Sequence, residues 1–217
     1  MSKRRTFITQ LGVAAAALAF DADEMSAQSG NSTSEWDKSW LDRLAKAKFR
    51  VVFNATVIDD GGVLDYANTF YDHFHEVHGT DDPQTRPVIV FRRNGTPMAF
   101  NDAIWDRYAI GEDAKVNDPV TNAPAKRNVF WKAEAGASSQ NVSRKLESLH
   151  ARGLISLVCN VAATNIARRL ADRAQIDPAA AIKDVTSNLV PGAILVPSGI
   201  YALIRAQNAG CAFMLGT

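Results

Sequence analysis

Cysteine, net charge and long apolar runs are all scarce in this sequence of 217 residues. Its two cysteines, Cys159 and Cys211, are too few for a disulfide-stapled domain or a zinc fold built on a cysteine cage, although one bridge remains open. The formal charge is +1, from 24 basic and 23 acidic residues, so there is no broad basic field and we expect no nucleic-acid partner. Neither GxGxxG nor GxxxxGK(S/T) occurs, so a standard nucleotide site has no support and we predict no cofactor.

What is present is the composition of an ordinary globular protein. Hydrophobic residues make up 47% of the chain and charged residues 22%, which excludes disordered, collagenous and coiled-coil classes. At about 100–200 residues per domain, the length fits one domain with an appendage.

Residues 1–29 resemble a signal for export. The basic pair Arg4 and Arg5 precedes the apolar run Leu11–Phe20, which is far shorter than the ~20 residues that a bilayer-spanning helix needs. An arginine pair followed by a spacer, Phe7 and an aliphatic residue is typical of the twin-arginine route, and an ordinary secretion signal is the alternative. We therefore predict a signal peptide at 1–29, a periplasmic mature protein, and no membrane contact after the signal is removed.

The rest of the chain alternates short apolar strands with helices, after a linker and an amphipathic lead-in helix predicted at 30–48. This alternation indicates an α/β domain at 49–217 with a mainly parallel sheet covered on both faces. Residues 111–138 are polar and lack periodicity, so we predict an insertion there, of the kind that is usually functional or covers another subunit. The predicted strands are Phe49–Val57, Pro87–Phe91, Leu154–Cys159, Ala193–Pro197 and Cys211–Leu215.

Several helix starts are also visible. Asp177 followed by Pro178 combines an N-cap carboxylate with proline in the first turn. Asn160 and Ser198 follow predicted strands and are predicted to cap the next helices. Ser139–Ala151 is predicted to form one helix.

Ligands of open α/β sheets bind beyond the carboxyl ends of the strands. The candidates for substrate binding are therefore the polar side chains that follow each predicted strand. They are Asn54 and Thr56, Arg92 and Arg93, Asn160, and Ser198.

Cys159 is the candidate for catalysis. It ends an apolar strand and precedes a helix, where the helix dipole and the free backbone N–H groups favour a thiolate. A thiolate attacks electrophilic sulfur or carbon. Two other interpretations remain open, a small buried apolar residue and a disulfide with Cys211. Cys211 opens a strand with no helix after it, which favours a structural role.

A metal site has weaker support. His75 and His78 share one face of a predicted helix, and Asp81 and Asp82 follow and could complete a ligand set. Histidines also suit the negative end of a helix without any metal, so we predict no metal site, and His75 and His78 are weak candidates.

The C-terminal half resembles the DsrE/DsrF-like family of sulfur-relay proteins. In that family a strand ends in a cysteine, a segment of the form PG…VPSG builds the next strand and turn, and an RxQ…GYAY-like tail supplies the last strand. The resemblance covers 49–215 in pattern, and Cys211 stands where the tail often has tyrosine. The matching segments are Leu154–Asn160, Leu189–Gly199, Ile204–Gln207 and Gly210–Phe213.

The resemblance implies a flavodoxin-like three-layer α/β domain with a five-stranded sheet that assembles as a homotrimer or homohexamer. It also implies that Cys159 carries sulfur as a persulfide. Our hypothesis adds that Asn160 and Ser198 line the pocket and that the sulfur passes to a thiol-bearing partner protein. The expected function is an extracytoplasmic sulfur carrier or sulfurtransferase-like protein. A non-catalytic module of the same fold, for small-anion binding or assembly, is the alternative, so enzymatic activity stays open. The export signal and the insertion at 111–138 depart from the family.

Overall fold

Five short apolar segments form one parallel sheet in the structure, a computed structural model that describes residues 36–216. The predicted signal peptide at 1–29 and residues 30–35 of the predicted linker lie outside the described residues. The strand order is β4-β3-β2-β1-β5, and every neighbouring pair is parallel. The strands are β1 (Phe49–Ala55), β2 (Thr85–Phe91), β3 (Ile155–Cys159), β4 (Ala193–Val196) and β5 (Ala212–Leu215).

Helices cover both faces of this sheet. Because successive strand residues point to opposite faces, Val51 and Phe53 of β1 pack into one apolar layer and Val52 packs into the other. The predicted three-layer, flavodoxin-like α/β architecture with a five-stranded parallel sheet is therefore confirmed. The helices are α1 (Trp40–Ala45), α2 (Gly62–His78), α3 (Asp102–Arg107), α4 (Ile110–Ala114), α5 (Ser139–Ser143), α6 (Leu146–Arg152), α7 (Asn160–Ala174), α8 (Pro178–Ser187) and α9 (Gly199–Asn208).

The two layers are unequal. The core on one face is built by α2, α3, α6, α7 and α8, whereas α1 and α9 cover the other face. Short 3₁₀ turns at Asp59–Gly61, Asp82–Gln84 and Arg93–Ala99 complete the connections. No helix within 36–216 is both long enough and apolar enough to cross a membrane.

The helix before β1 and the helix before β3 differ from the sequence prediction. The lead-in helix is only α1, because its buried anchors Trp40 and Leu44 occupy one short stretch. The helix predicted at Ser139–Ala151 is divided into α5 and α6, since the backbone of Lys145 is extended. The N-cap roles of Asp177 and Ser198 are confirmed.

The segment 111–138 packs into the core of its own chain. Its beginning belongs to α4, which the polar sequence did not predict, and Ala125 and Phe130 are buried. A Cβ atom at Gly111 would lie 2.3 Å from the backbone nitrogen of Ala125, so only glycine allows this approach. The insertion is therefore built into the fold of the monomer.

His150 joins three parts of the fold. Its Nδ1 lies 3.0 Å from the carbonyl oxygen of Pro191, which can only accept, so Nδ1 carries the proton. Its Nε2 lies 2.7 Å from Oγ of the fully buried Ser156 and accepts the hydroxyl proton. This neutral ring connects α6, β3 and the turn before β4.

This arrangement predicts acid sensitivity. Burial lowers the pKa of His150, the hydrogen bond that the ring donates to the Pro191 carbonyl opposes this shift, and Arg43 adds to the lowering. Below about pH 6.5, the ordinary histidine value, the unfolded chain binds a proton that the folded chain resists, so stability falls as pH falls. We expect the free energy of unfolding, measured with urea between pH 7.5 and 5.5, to lose up to about 1.4 kcal/mol per pH unit through His150. His150→Gln should flatten this slope, whereas His73→Gln on the exposed side of α2 should leave it unchanged.

Candidate functional site

Strands β3 and β4 are neighbours whose connections leave toward opposite faces of the sheet. β3 continues into α7 in the larger layer, and β4 continues into α9 in the smaller one. Such a divergence opens a crevice at the carboxyl ends of the two strands, where α/β proteins bind ligands. The N-termini of α7 and α9 both begin at this crevice.

A cavity of about 660 Å³ occupies the crevice. Cys159 lines it from the end of β3 and is 6% exposed. Ser198 lines it from the start of α9, and the end of β2 contributes Arg92 and Arg93. The remaining lining residues are Asn94, Val161, Ala162, Asn165, Ile166, Arg169, Gly199 and Ile200.

Cys159 itself caps α7. Its backbone is extended, and its Sγ accepts the N–H of Ala162 at 3.4 Å. The prediction that Asn160 caps this helix is wrong, because Asn160 is already the first helical residue. The Cys159 sulfur therefore lies at the positive end of the helix dipole of α7.

The cavity is basic. Its lining has the arginines Arg92, Arg93 and Arg169, and no aspartate or glutamate belongs to it. Arg169 pairs with Asp113 at 2.7 Å. Arg92 and Arg93 make no ion pair within 36–216, so two positive charges remain uncompensated beside the thiol.

Local backbone features hold these arginines at the cavity. The φ of Arg93 is 49°, a left-handed conformation that is uncommon for a residue with a side chain. Arg92 lies against Gly199, where an added Cβ would come within 3.1 Å of the Arg92 side chain. Glycine after Ser198 therefore makes room for the stem of Arg92 at the start of α9.

The mouth of the cavity carries apolar side chains. Val161 of α7 and Ile200 of α9 both line the cavity, and both are exposed. Ile204, one helical turn after Ile200, is exposed as well. Adjacent exposed aliphatic side chains of this kind often mark a surface that another molecule covers.

The predicted site residues separate into two groups. Cys159, Arg92, Arg93 and Ser198 come together in the cavity, and Ser198 Oγ also accepts the N–H of Tyr201 at 3.1 Å. The structure does not bring the other three into the cavity lining.

Asn54 and Thr56 lie at the end of β1, and Asn160 is half-buried at the start of α7. Asn54 is buried, and its Oδ1 has no hydrogen-bond partner among the described residues.

Sequence reasoning missed the contribution of α7 beyond its first turn. Asn165 and Arg169 are one turn apart on the side of the helix that faces the crevice. The spacing of Ala162, Asn165 and Arg169 places them on one helix face. That face can be assigned to the crevice only when the helix is known to begin directly after Cys159.

A second cavity of about 290 Å³ adjoins the first and shares Asn94, Ile166 and Arg169 with it. It extends the crevice toward the end of β1, where Asp59 and Lys115 line it. The crevice thus continues from a basic part beside the thiol to a part of mixed charge.

The two cysteines are free and far apart in the fold. Cys159 ends β3, whereas Cys211 lies just before β5, so in a parallel sheet they occupy opposite ends of the strands. The interpretation as a disulfide is therefore wrong for this structure. Burial raises the pKa of Cys211 to about 11, which keeps that thiol protonated and unreactive at neutral pH.

The histidines of α2 do not converge. His75 Nε2 lies 3.3 Å from Asp82 Oδ1, whereas the ring of His78 stacks on Phe49 at 4.7 Å between centroids. Among residues 36–216, no group of three or more histidine, cysteine and acidic side chains could hold a metal ion. The weak metal candidates His75 and His78 therefore have other partners.

No protein-family model and no curated protein matches the chain. A solved structure of a protein of unknown function, MTH1491 from Methanobacterium thermoautotrophicum, is similar with 16% sequence identity and a TM-score of 0.40. The similarity covers 77% of this chain and 98% of that one.

Proposed function

We propose that this protein is an extracytoplasmic sulfur carrier or sulfurtransferase-like protein that holds sulfur as a persulfide on Cys159. The observation that carries the proposal is the position of its Sγ, which accepts the Ala162 N–H at a helix start beside a basic cavity. Sulfane sulfur is commonly delivered by anions such as thiosulfate or polysulfide. The uncompensated Arg92 and Arg93 suit such donors.

The loading step needs no oxidant. The Cys159 thiolate attacks the outer sulfur of thiosulfate, the new S–S bond forms as the old one breaks, and sulfite leaves with the electron pair. The resulting persulfide anion has the same charge as the thiolate. The N–H of Ala162 and the two arginines can therefore stabilise both the thiolate and the persulfide.

Unloading requires a second thiol at the same sulfur. A partner thiolate attacks the outer persulfide sulfur, takes it as its own persulfide, and Cys159 leaves as thiolate. Cys159 is nearly covered, so the partner must enter the cavity through its mouth. The exposed aliphatic side chains of Val161 and Ile200 beside the cavity support a protein partner with an exposed cysteine.

Intact-mass measurement tests the loading step. After incubation with thiosulfate or polysulfide, we expect an adduct of about 32 Da, one sulfur atom, that a reductant removes. Cys159→Ala should abolish the adduct, whereas Cys211→Ala should keep it because that thiol is buried with a raised pKa.

A wild-type protein that takes up no sulfur, or an adduct that survives Cys159→Ala, would contradict the carrier proposal. An adduct that depends on Cys211 instead would also contradict it. Circular dichroism of both variants shows that each is folded.

The alternative proposal is a non-catalytic module that binds a small anion or assembles with other proteins. The 6% exposure of Cys159 favours it, since the thiol then serves only as a cap. Native thiol titration separates the two: fast labelling of Cys159 at neutral pH supports the carrier, and slow labelling supports the binding module.

Two parts of the proposal rest on the sequence. The arginine pair at Arg4 and Arg5 supports twin-arginine export to the periplasm. The family resemblance supports assembly as a homotrimer or homohexamer and a thiol-bearing partner protein.

A further inference from the structure

The crevice is larger than a small inorganic sulfur donor needs. The cavity beside Cys159 has a volume of about 660 Å³ and the adjoining cavity about 290 Å³, and Asn94, Ile166 and Arg169 line both. Cavities of roughly 300–1,000 Å³ hold organic ligands of drug size. A ligand that fills this crevice is therefore an organic molecule, and thiosulfate would leave most of the space empty.

The insertion at 111–138 contributes to the second cavity. Its residues Asp113, Ala114 and Lys115, at the end of α4 and directly after it, line this cavity. The segment 57–59, which follows β1, lines it as well. The insertion therefore extends the crevice beyond the ends of the strands, and it takes part in selecting the ligand.

The second cavity has one unpaired charge of each sign. Asp113 is compensated, because it pairs with Arg169 at 2.7 Å and with Arg173 at 3.1 Å. Asp59 and Lys115 make no ion pair with each other or with any other described residue. A cavity lined by two such residues is complementary to a ligand that carries both charges. An α-amino acid group, with its ammonium and its carboxylate, is a ligand of this kind.

The backbone is left-handed at three positions along the crevice. The φ angle is 42° at Asp59, 57° at Lys115 and 49° at Arg93. Glycine adopts this conformation without steric cost, whereas a residue with a side chain does not. Such conformations cluster at ligand-binding sites, so their occurrence at three charged lining residues agrees with a ligand in this crevice.

We propose that the sulfur donor is a peptide persulfide of low molecular weight that ends in an α-amino acid group. The persulfide reaches Cys159, the α-amino acid group occupies the second cavity at Asp59 and Lys115, and a further carboxylate meets Arg92 and Arg93. This inference rests on the proposed function and names the class of its donor. Glutathione persulfide has all three groups and is the probe.

Loading from this donor needs no oxidant and no further reactant. The Cys159 thiolate attacks the outer sulfur of the donor, R–S–SH, and a new S–S bond forms as the S–S bond of the donor breaks. The thiol of the peptide leaves as R–S⁻ with the electron pair, and the proton stays on the transferred sulfur. Cys159 then holds the sulfur as Cys–S–SH.

Loading rates with two donors test this class. The readout is the ratio of the rate with glutathione persulfide to the rate with thiosulfate, both followed as the gain of one sulfur atom in intact mass. Asp59→Asn combined with Lys115→Gln should lower this ratio roughly five- to tenfold, the size expected for the loss of two exposed charge contacts. Acetylating the amino group of the donor should slow the wild-type protein and have less effect on this double variant.

Asp60→Asn combined with Lys126→Gln is the matched control. Both residues are exposed, Asp60 also has a left-handed backbone with a φ of 49°, and neither residue lines either cavity. This pair removes the same two charges from the protein, so its ratio of rates should equal that of the wild type.

Calorimetry with Cys159→Ala protein gives a readout without sulfur transfer. S-methylglutathione keeps the α-amino acid group and the second carboxylate, and we expect it to bind. Adding Asp59→Asn and Lys115→Gln should weaken this binding, and adding the control pair should not.

The outcomes separate the donor class from the proposed function. If thiosulfate loads the wild-type protein, but both the ratio of rates and the calorimetric affinity are the same in the two double variants, the donor class is wrong and the sulfur carrier stands. If neither donor loads Cys159, the sulfur carrier fails and takes the donor role with it. Absence of S-methylglutathione binding to Cys159→Ala protein would also overturn the inference.

Discussion

Replacing Asn128 with alanine is expected to lower the free energy of unfolding by about 3–5 kcal/mol, because each buried partner left unpaired costs about 1–3 kcal/mol. Asn128 is 2% exposed. Its Nδ2 donates to the carbonyl oxygens of Met98 and Phe100, each at 2.7 Å. Its Oδ1 accepts the N–H of Phe130 at 2.9 Å.

These contacts anchor the insertion to the turn after β2. Met98 and Phe100 are fully buried in the apolar core, and water cannot replace the lost amide without entering that core. Asn128→Asp has the same shape but places carboxylate oxygen against two carbonyl groups, so we expect it to be at least as harmful as alanine.

Urea denaturation followed by circular dichroism measures this effect. The matched control is Asn117→Ala, in the same insertion and exposed, which should change stability by less than about 0.5 kcal/mol. If Asn128→Ala also stays within that range, the insertion does not contribute to the folding of the domain.

The sheet could be predicted from sequence because its strands are short apolar runs between helices. Leu154–Cys159 and Pro87–Phe91 are almost purely apolar, as strands buried on both faces must be. Strand ends are harder to predict, because a polar residue can belong to a strand: Thr85 begins β2 and is fully buried. Hydrophobic pattern shows which segments are buried, and it does not show where the ladder of hydrogen bonds stops.

The insertion at 111–138 could not be predicted in the same way. Its buried residues Ala125 and Phe130 are isolated among polar neighbours, so no period marks a helix or strand. The amide of Asn128 satisfies backbone groups that are distant in sequence. Contacts of this kind depend on the three-dimensional path of the chain, so the local hydrophobic pattern does not predict them.

Part of the site could be predicted from the rule that ligands bind at the carboxyl ends of strands. Arg93 follows β2, Cys159 ends β3 and Ser198 follows β4, and the three meet in one cavity. The rule also nominates Asn54 and Thr56 after β1, which lie outside that lining. The position of the crevice depends on α7 and α9 leaving toward opposite faces, and this information lies in the topology.

The second large effect is expected at the arginines of the cavity. Substituting Arg92→Gln together with Arg93→Gln should slow the reaction of Cys159 with an anionic reagent, iodoacetate, by roughly 10–30-fold relative to neutral iodoacetamide. Two charges near a partly buried site are each worth about 0.7–1 kcal/mol to an incoming anion at moderate salt, which corresponds to this factor.

The ratio of the reaction rates with iodoacetate and with iodoacetamide isolates the effect of the arginines on the incoming anion. Both reagents need the thiolate, so any change in its population cancels, and what remains is the attraction between cavity and reagent. The measurement uses a Cys211→Ala background, so that Cys159 is the thiol observed. Glutamine keeps most of the stem that packs against Gly199.

Arg168→Gln is the matched control, because Arg168 is on α7 yet does not line the cavity, and its side chain donates to Asn165 Oδ1 at 3.4 Å. It should change the ratio by less than twofold. Raising the salt concentration should lower the ratio of the wild-type protein and have little effect on the double variant, since screening acts only on charges that are present. An unchanged ratio in the double variant would mean that the arginines do not face the thiol, and the cavity would then lack the attraction that both the sulfur carrier and the anion-binding module require.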